Sequence, residues 1–265
     1  MKLNAVGLTD IGLKRGHNED NYLLVDDHRL FMVADGMGGH NAGEVASRLA
    51  VETVAGFFDE TTDDDDVTWP YRIDRGQPYE ANRFATAVKL ANLRIHEGSA
   101  NTAGQKGMGT TLVGIHFNRR DAVIAHVGDS RVYRMRNGSL SMLTEDHSLL
   151  NDYIRMKDLS PEEIQNFPHK NVIVRALGMR DSVQVDVILE TPQAGDIYLL
   201  CSDGLTGMIE DPDIERIMRA CGTDLDACTK HLIRVANENG GVDNITAASA
   251  PPMTCMAVSK SSAST

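Results

Sequence analysis

Basic side chains are scarce in this sequence relative to acidic ones, and the imbalance argues against two kinds of partner. Lysine and arginine together number 26 against 38 aspartates and glutamates, so the formal net charge is -12. Nucleic-acid-binding proteins present clustered Lys and Arg to the phosphate backbone, and anionic membrane surfaces attract polybasic segments. We therefore expect that the protein binds neither a nucleic acid nor a membrane.

Cysteines and long apolar runs are also scarce. The cysteines form no C-x-x-C pair and stand beside no histidine cluster, which argues against a structural zinc site and favours a reducing compartment. No apolar stretch approaches the roughly 20 residues of a membrane-spanning helix. Residues 1–10 lack the apolar core of a signal peptide. These absences together predict a cytoplasmic protein.

The apolar residues that are present follow two periodicities. They recur at helical spacing over residues 44–58 and again over residues 80–97. Strand-like apolar runs follow at residues 110–117, 122–127 and 131–134. Two helices followed by consecutive strands are typical of an α+β fold.

Turn and cap signals divide the second half of the chain. Asn137-Gly138 is a strong signal for a tight hairpin turn. Residues 160–163 combine an N-cap serine, a first-turn proline and a capping-box glutamate. A buried strand is predicted at residues 197–201, a helix begins at Asp211, and a last helix spans residues 225–239.

These elements predict one domain. With 42% hydrophobic and 24% charged residues the chain has a globular composition, and it contains no internal repeat. Residues 60–79 are polar and are interpreted as a surface excursion. We expect the domain to cover residues 1–249 and a flexible C-terminal tail to cover residues 250–265, because the tail is small, polar and aperiodic.

One short stretch, MVADGMGG at residues 32–39, suggests a functional site. The apolar residues that precede Asp35 are typical of a buried strand, which we expect to end at this aspartate. Gly36, Gly38 and Gly39 follow, and glycine lets a main chain turn sharply or approach a ligand closely. Core packing of these glycines is the alternative.

The same arrangement recurs along the chain. Asp129 and Asp203 also follow apolar strands and adjoin glycines, Asp243 begins a further strand, and Glu19 and Asp20 form another acidic pair. Taken singly, an Asp-Gly pair is most simply a turn. Converging carboxylates would repel one another unless a cation lies among them. Oxygen ligands without cysteine or histidine favour Mg²⁺ or Mn²⁺.

A family resemblance supports convergence. Seven segments resemble, in order, motifs of the metal-dependent, type 2C protein serine/threonine phosphatases, most closely the compact bacterial members: KRGHNEDNY, MVADGMGGHNAGEVA, GMGTTLV, VGDSRVYR, EDHS, LLCSDGL and DNIT. They run from about residue 8 to residue 248. The resemblance implies an α+β fold in which two antiparallel β-sheets pack as a sandwich, flanked by α-helices on both sides, with metals in a cleft at one end.

The resemblance also implies a site and a reaction. It assigns phosphate binding to Arg15, a hold on metal-bound water to Glu19, and metal binding to Asp35, the Gly36 carbonyl, Asp129, Asp203 and Asp243. Two Mn²⁺ or Mg²⁺ ions would occupy the core of the site, and Asp129 and Asp203 would share a third, weaker one. A metal-bridging water would attack phosphoserine or phosphothreonine directly. The implied partners are proteins phosphorylated by a cognate Ser/Thr kinase, and we expect a monomer.

Histidines near the motifs carry separate predictions. His40 follows the glycine loop and is a candidate general acid for the leaving alkoxide; capping the helix that follows is its alternative role. His126 lies within an apolar strand and is interpreted as a core histidine with its hydrogen bonds satisfied. His147, in EDHS, is expected to order the turn beneath the next segment. That segment, residues 148–175, matches the family's variable flap and is the expected specificity element.

Two other functions remain as alternatives. A catalytically weak phosphatase fold could act as a regulatory binding module, although loss of the metal carboxylates would then be expected, and all of them are present. A glycosidase with a carboxylate pair would need no metal, so complete inhibition by a chelator would exclude it.

Overall fold

The structure is a computed structural model, and it describes residues 5–38, 42–62, 69–102, 104–118, 121–157, 159–165, 167 and 172–251. The strands in these ranges, numbered in chain order, are β1 (Val6–Asp10), β2 (Asp20–Val25), β3 (Leu30–Met37), β4 (Gly109–Thr110), β5 (Leu112–Phe117), β6 (Ala122–Val127), β7 (Arg131–Arg136), β8 (Ser139–Met142), β9 (Asp186–Glu190), β10 (Ile197–Cys201) and β11 (Ile245–Ala250). The helices are α1 (Ala42–Glu60), α2 (Tyr79–Asn101), α3 (Leu149–Met156), α4 (Pro161–Gln165), α5 (Asp203–Thr206), α6 (Asp211–Cys221) and α7 (Leu225–Glu238).

The strands form two antiparallel sheets. One sheet has five strands in the order β1-β11-β10-β7-β8, and the other has six, with the path β2-β3-β5-β6-β9 and β4 paired to β3. Helices α1 and α2 pack on the six-stranded sheet, and α6 and α7 pack on the five-stranded sheet. The predicted sandwich with helices on both sides is confirmed.

The core has three apolar layers because each sheet is covered on both faces. Between the sheets the rings of Phe117 and Tyr198 meet edge to face, with their centroids 5.3 Å apart. Under α1 and α2, Phe58 and Phe84 make a similar contact at 5.5 Å. Burying side chains of this size stabilises the fold by about 1.5–3 kcal/mol each. The strands inside the two sheets carry apolar side chains on both faces, because both faces of each sheet are covered.

Strand register brings the acidic motifs to one edge of the sandwich. Asp20 at the start of β2 is paired with Asp35 near the end of β3. Asp129 lies in the turn between β6 and β7, and Asp203 begins α5 directly after β10. Asp243 comes two residues before β11. Because neighbouring strands are antiparallel, the end of one lies beside the start of the next, and these five residues meet there.

The structure corrects several predicted boundaries. Strand β3 does not end at Asp35 but continues to Met37, because Gly36 and Met37 pair with β4. The strand predicted at residues 110–117 is divided at Thr111, whose backbone N–H donates to the Asp35 carbonyl at 2.8 Å. Ala250 belongs to β11 and pairs with Tyr198, so it is not part of the tail.

Other local predictions are confirmed. Asn137 and Gly138 have φ of 52° and 80° and form the tight turn between β7 and β8. The Ser160 backbone N–H donates to the Glu163 carboxylate at 2.8 Å, which is the capping interaction expected at α4. No helix in the described ranges is both long and apolar enough to cross a membrane.

Candidate functional site

Asp35 and Asp203 form the centre of the acidic cluster. Burial is the main cause that raises the pKa of Asp35 well above its ordinary value, and the nearby Asp20 and Asp203 carboxylates raise it further. Burial also raises the pKa of Asp203, which accepts a hydrogen bond from the Asp35 carboxyl group. Two carboxyl groups therefore lie close enough to share one proton, which is the expected behaviour of an acidic pair without a counter-ion.

Asp20 and Asp129 complete the buried part of the cluster. Burial, followed by the repulsion of Asp203, raises the pKa of Asp129 to about 7. Burial likewise raises the pKa of Asp20 to about 7, although its Oδ2 accepts hydrogen bonds from Ser202 Oγ at 2.8 Å and Thr246 Oγ1 at 2.7 Å. The protein thus keeps four acidic side chains together at an electrostatic cost.

The free oxygens of this cluster fit a cation. Among the described residues, six buried side-chain nitrogen or oxygen atoms have no hydrogen-bond partner, and three of them are Asp20 Oδ1, Asp129 Oδ1 and Asp203 Oδ1. Buried polar atoms without partners are rare in folded proteins and call for an explanation such as an ion. A hard divalent cation prefers carboxylate oxygens and would offset their mutual repulsion. The donor set therefore fits Mg²⁺ or Mn²⁺.

Arg15 supplies a positive charge at the rim of the cluster. Its Nη2 donates to Asp243 Oδ2 at 2.6 Å, and half of the arginine side chain is exposed. The bond to Asp243 is the main cause that raises the pKa of Arg15, and Asp35 and Glu19 contribute. A guanidinium group has five N–H donors. Arg15 can therefore bind a second anion while it keeps its bond to Asp243.

Glu19 is held in place by the start of α1. Its carboxylate accepts a hydrogen bond from the Gly43 backbone N–H at 3.2 Å, and its carbonyl accepts one from Ser47 Oγ at 2.6 Å. Gly36 lies close to Glu19 and to the start of α1, since a Cβ added to Gly36 would lie 2.1 Å from the Gly43 carbonyl oxygen. A glycine at this position thus allows β3, Glu19 and α1 to pack closely.

An open cleft runs along the cluster. Its volume is about 310 Å³. It is lined by Asp129, Asp203 and Asp243 and by Leu150 and Asn151 of α3. The predicted flap segment therefore contributes a wall of the cleft, next to the carboxylates.

The three histidines named from the sequence have different outcomes. His40 lies outside the described residues. His147 holds the turn between β6 and β7, because its Nδ1 accepts a hydrogen bond from the Gly128 N–H at 3.0 Å. His126 is buried in β6 as predicted, but the prediction that its hydrogen bonds are satisfied was wrong, since its Nδ1 has no partner. Its ring stacks on His147 instead, with centroids 4.7 Å apart.

A second group of possible ligand atoms, on His126, His147 and Asp186, lies within a span of 4.8 Å. The His147 Nδ1 accepts the Gly128 N–H, so its Nε2 carries the proton and donates to Asp186 at 3.2 Å. The Arg175 guanidinium also binds Asp186, at 2.7 Å. Because a metal ligand needs a free lone pair and Arg175 already supplies the positive charge, this group fits an ion-pair network and not a cation site.

Two residues at the site have no assigned role in the sequence predictions. Asp20 was noticed only as part of an acidic pair, although its burial and its pairing with Asp35 place it inside the cluster. His17 Nε2 lies 3.6 Å from Glu19 Oε1 at the exposed rim. In the sequence, the signal for both residues is that they lie near Glu19. Strand register is needed to show that the Asp20 carboxylate faces the cluster.

The comparisons with known proteins agree with this geometry. The family model described as Protein phosphatase 2C matches residues 14–245. The chain belongs to the protein phosphatase 2C family. It is a metal-dependent protein phosphatase and hence a hydrolase.

Individual relatives match along nearly the whole chain. The serine/threonine phosphatase stp of Listeria monocytogenes is 39% identical over 251 residues, which are 92% of this chain and 94% of that protein. The crystal structure of the Mycobacterium tuberculosis phosphatase PstP/Ppp has a TM-score of 0.82 at 32% identity and covers 95% of this chain and 99% of its own. A structure of the PstP catalytic domain with two manganese ions has a TM-score of 0.78, also at 32% identity, and covers 94% and 98%.

Proposed function

We propose that this protein hydrolyses phosphoserine and phosphothreonine in other proteins, and that its acidic cluster is the catalytic centre. Asp35, Asp203, Asp243 and the Gly36 carbonyl would hold two Mn²⁺ or Mg²⁺ ions, and Asp129 with Asp203 would hold a third. The observation that supports this most directly is the set of buried carboxylate oxygens without partners. A related catalytic domain that contains two manganese ions lends further support.

The chemistry sets a heavy demand on the site. Phosphate monoesters hydrolyse extremely slowly in water. When bound, the divalent cations supply a nucleophilic hydroxide from water near neutral pH and offset charge on the phosphoryl oxygens. The protein itself holds these carboxylates close together in a buried position, although they repel one another and would separate if they were free in water.

Arg15 binds the phosphoryl group in this proposal. Its bond to Asp243 orients the guanidinium, and its exposed half leaves N–H donors for phosphoryl oxygens. The planar guanidinium can bind two phosphoryl oxygens at once. In this proposal it does so before the reaction begins. Glu19 is fixed through its Oε1 by Gly43 and through its backbone carbonyl by Ser47, and it would orient the attacking water with its other carboxylate oxygen.

The leaving alkoxide needs a proton, and His40 remains our proposed donor. An acid at this position would matter for a serine or threonine leaving group and much less for an acidic phenol. His17, at the rim beside Glu19, is a histidine within the described part of the site. Comparing His40→Ala with His17→Ala on both kinds of substrate identifies the donor.

We also propose the finer partner assignments. The substrates are proteins phosphorylated by a cognate Ser/Thr kinase, and the enzyme acts as a monomer without nucleic acid or membrane. The relatives are themselves serine/threonine phosphatases, which supports phosphoproteins as the substrate class. The net charge of -12 is the argument against polyanionic partners.

The decisive experiment is hydrolysis of a phosphothreonine peptide by metal-free protein, with and without added metal. We expect no turnover in excess EDTA and full recovery when Mn²⁺ or Mg²⁺ is restored, because the carboxylates cannot activate water by themselves. A phosphotyrosine peptide of the same sequence is the control for substrate class. Turnover that continues unchanged in EDTA would refute the assignment.

A further inference from the structure

Asp129 lies in a turn whose neighbouring residues are held by hydrogen bonds. Its Oδ1 is buried and has no hydrogen-bond partner. Gly128 exchanges two hydrogen bonds with His147, one from its N–H to Nδ1 and one from the His147 N–H to its carbonyl, each of 3.0 Å. Arg131 binds both carboxylate oxygens of Asp146, at 2.9 and 2.7 Å. The turn that carries Asp129 is therefore tied on both sides to residues 146 and 147.

The conformation of this turn leaves little freedom. Gly128 has a φ of +111°, and a Cβ added there would lie 2.6 Å from the Cβ of Thr111. Ser130 Oγ lies within hydrogen-bond distance of Thr111 Oγ1, at 2.7 Å. The position of Asp129 therefore depends on the packing against Thr111 as well as on where His147 and Asp146 lie.

His147 is in turn fixed by an ion pair on its other face. Its Nε2–H donates to Asp186 Oδ2 at 3.2 Å, and Arg175 Nη1 donates to Asp186 Oδ1 at 2.7 Å. The same Arg175 nitrogen lies 3.0 Å from His147 Nε2, but both nitrogens are donors, so it is Asp186 that joins the two side chains. Because Asp186 is part of β9, this contact anchors His147 to the six-stranded sheet.

The two ends of the flap segment meet at the same place. The Leu149 N–H donates to the Val172 carbonyl and the Val174 N–H donates to the His147 carbonyl, both at 2.9 Å. These bonds join the chain entering the segment to the chain leaving it. Arg175 follows directly, so its ion pair closes the base of the flap.

We propose that Arg175, Asp186 and His147 form a clamp that sets the position of Asp129 from the base of the flap. Arg175 is then a positioning residue for the reaction, although it does not contact the substrate. This inference rests on the proposed function of the acidic cluster. It also predicts that a displacement of the flap is transmitted to Asp129 through His147 and Gly128.

The first test uses metal-free protein and measures hydrogen exchange. Arg175→Gln removes the ion pair, and we expect the amides of Gly128, Leu149 and Val174 to exchange about tenfold faster. The matched control is Arg136→Gln. Arg136 also pairs with an aspartate, Asp196, but it lies at the end of β7 that is farther from Asp129. Unchanged exchange at Gly128 in Arg175→Gln, or equal acceleration in both variants, would refute the clamp.

The second test measures kinetics on a nitrophenyl phosphate and on a phosphothreonine peptide. We expect Arg175→Gln to lower kcat by the same factor on both, about tenfold, and to raise the half-saturating Mn²⁺ concentration. Arg175→Lys should recover part of kcat, and Arg136→Gln should leave it unchanged. A rise confined to the KM of the peptide would show that Arg175 acts on the substrate through the flap, and it would overturn the proposal. Wild-type protein without metal-dependent turnover would refute the proposed function instead, and the exchange test would still judge the clamp.

Discussion

At the scale of single residues, the acidic cluster opposes folding when no metal is bound. Burial and mutual repulsion raise the pKa values of Asp35 and Asp203, and those of Asp20 and Asp129 to about 7. A carboxyl group whose pKa is higher in the folded than in the unfolded state binds its proton more tightly when folded. Its contribution to stability is therefore present at low pH and is lost as pH rises toward the folded-state pKa.

Replacing Asp203 by asparagine should separate stability from catalysis. We expect Asp203→Asn to raise the melting temperature of the metal-free protein at pH 8, since a repelling charge is removed, and to change it little near pH 4, where the carboxyl group is protonated. The same variant should lose at least about a hundredfold in kcat with Mn²⁺, because the proposed assignment makes Asp203 a ligand of the catalytic ions.

The measurements are thermal unfolding in EDTA at both pH values and turnover on a nitrophenyl phosphate. Asp243→Asn is the parallel variant for kcat, since Asp243 also lies at the cluster but accepts the Arg15 hydrogen bond. Asp181→Asn, at an exposed aspartate outside the cluster, is the control. A folded Asp203→Asn protein with near-normal metal-dependent turnover would remove this residue from the site.

Arg15 should act mainly in binding. If its guanidinium grips the phosphoryl group before the reaction begins, Arg15→Ala raises KM for a phosphothreonine peptide and lowers kcat less. Lys14→Ala changes a neighbouring, exposed cation and is the matched control. Steady-state kinetics on both variants decide this, and a fall in kcat without a change in KM would show that Arg15 acts only in the transition state.

At the scale of elements, the site depends on how closely β3 approaches the start of α1. The Gly36 N–H donates to the Glu19 carbonyl at 3.2 Å. A Cβ on Gly36 would lie 2.1 Å from the Gly43 carbonyl oxygen and 2.5 Å from that of Glu19. Both neighbours are backbone atoms, so a larger residue cannot be accommodated by a change of side-chain rotamer.

Gly36→Ala should therefore push α1 away from β3. We expect the free energy of unfolding to fall by about 1–3 kcal/mol, measured by urea denaturation, and metal-dependent turnover to fall because Glu19 moves with the contact. Gly56→Ala is the control on the same helix, where no atom lies within 4 Å of an added Cβ. That change should stabilise the protein by up to about 1 kcal/mol. Equal effects of the two substitutions would contradict the packing argument.

At the scale of the whole molecule, the net charge of -12 affects which peptides reach the cleft. We expect kcat/KM to be several-fold higher for a phosphothreonine peptide flanked by lysines than for the same peptide flanked by glutamates, because a protein's summed field steers charged ligands. The ratio should fall toward one near 1 M salt, where the Debye length is about 3 Å.

Turnover of a nitrophenyl phosphate over the same salt series corrects for direct effects of salt on the metal site. A peptide ratio that does not change with salt would mean that specific contacts, and not the overall field, select the substrate. The walls formed by α3 would then be the place to look for those contacts.

The α+β fold class and the motifs that carry the proposed site could be predicted from the sequence. Helices α1 and α2 and several of the strands follow from apolar periodicity, a local property that does not depend on distant residues. The two-sheet sandwich was implied by the family resemblance. The turn at Asn137-Gly138 and the cap at Ser160 were also predictable, since each depends on a few adjacent side chains. The ordered motifs pointed to Arg15, Asp35 and the other acidic residues because their spacing matched a family, although neither periodicity nor composition could show that they meet.

Which groups are buried together depends on the packing of distant segments. Asp20 faces the cluster because antiparallel register pairs it with Asp35, and a shift by one residue would turn its side chain to the other face. The Nδ1 of His126 has no hydrogen-bond partner, whereas His147 contacts Asp186, which also binds Arg175. Both outcomes depend on packing between separate segments of the chain. Burial then sets the pKa values, since the cost of a charge depends on the atoms that exclude water from it, and these come from distant parts of the sequence.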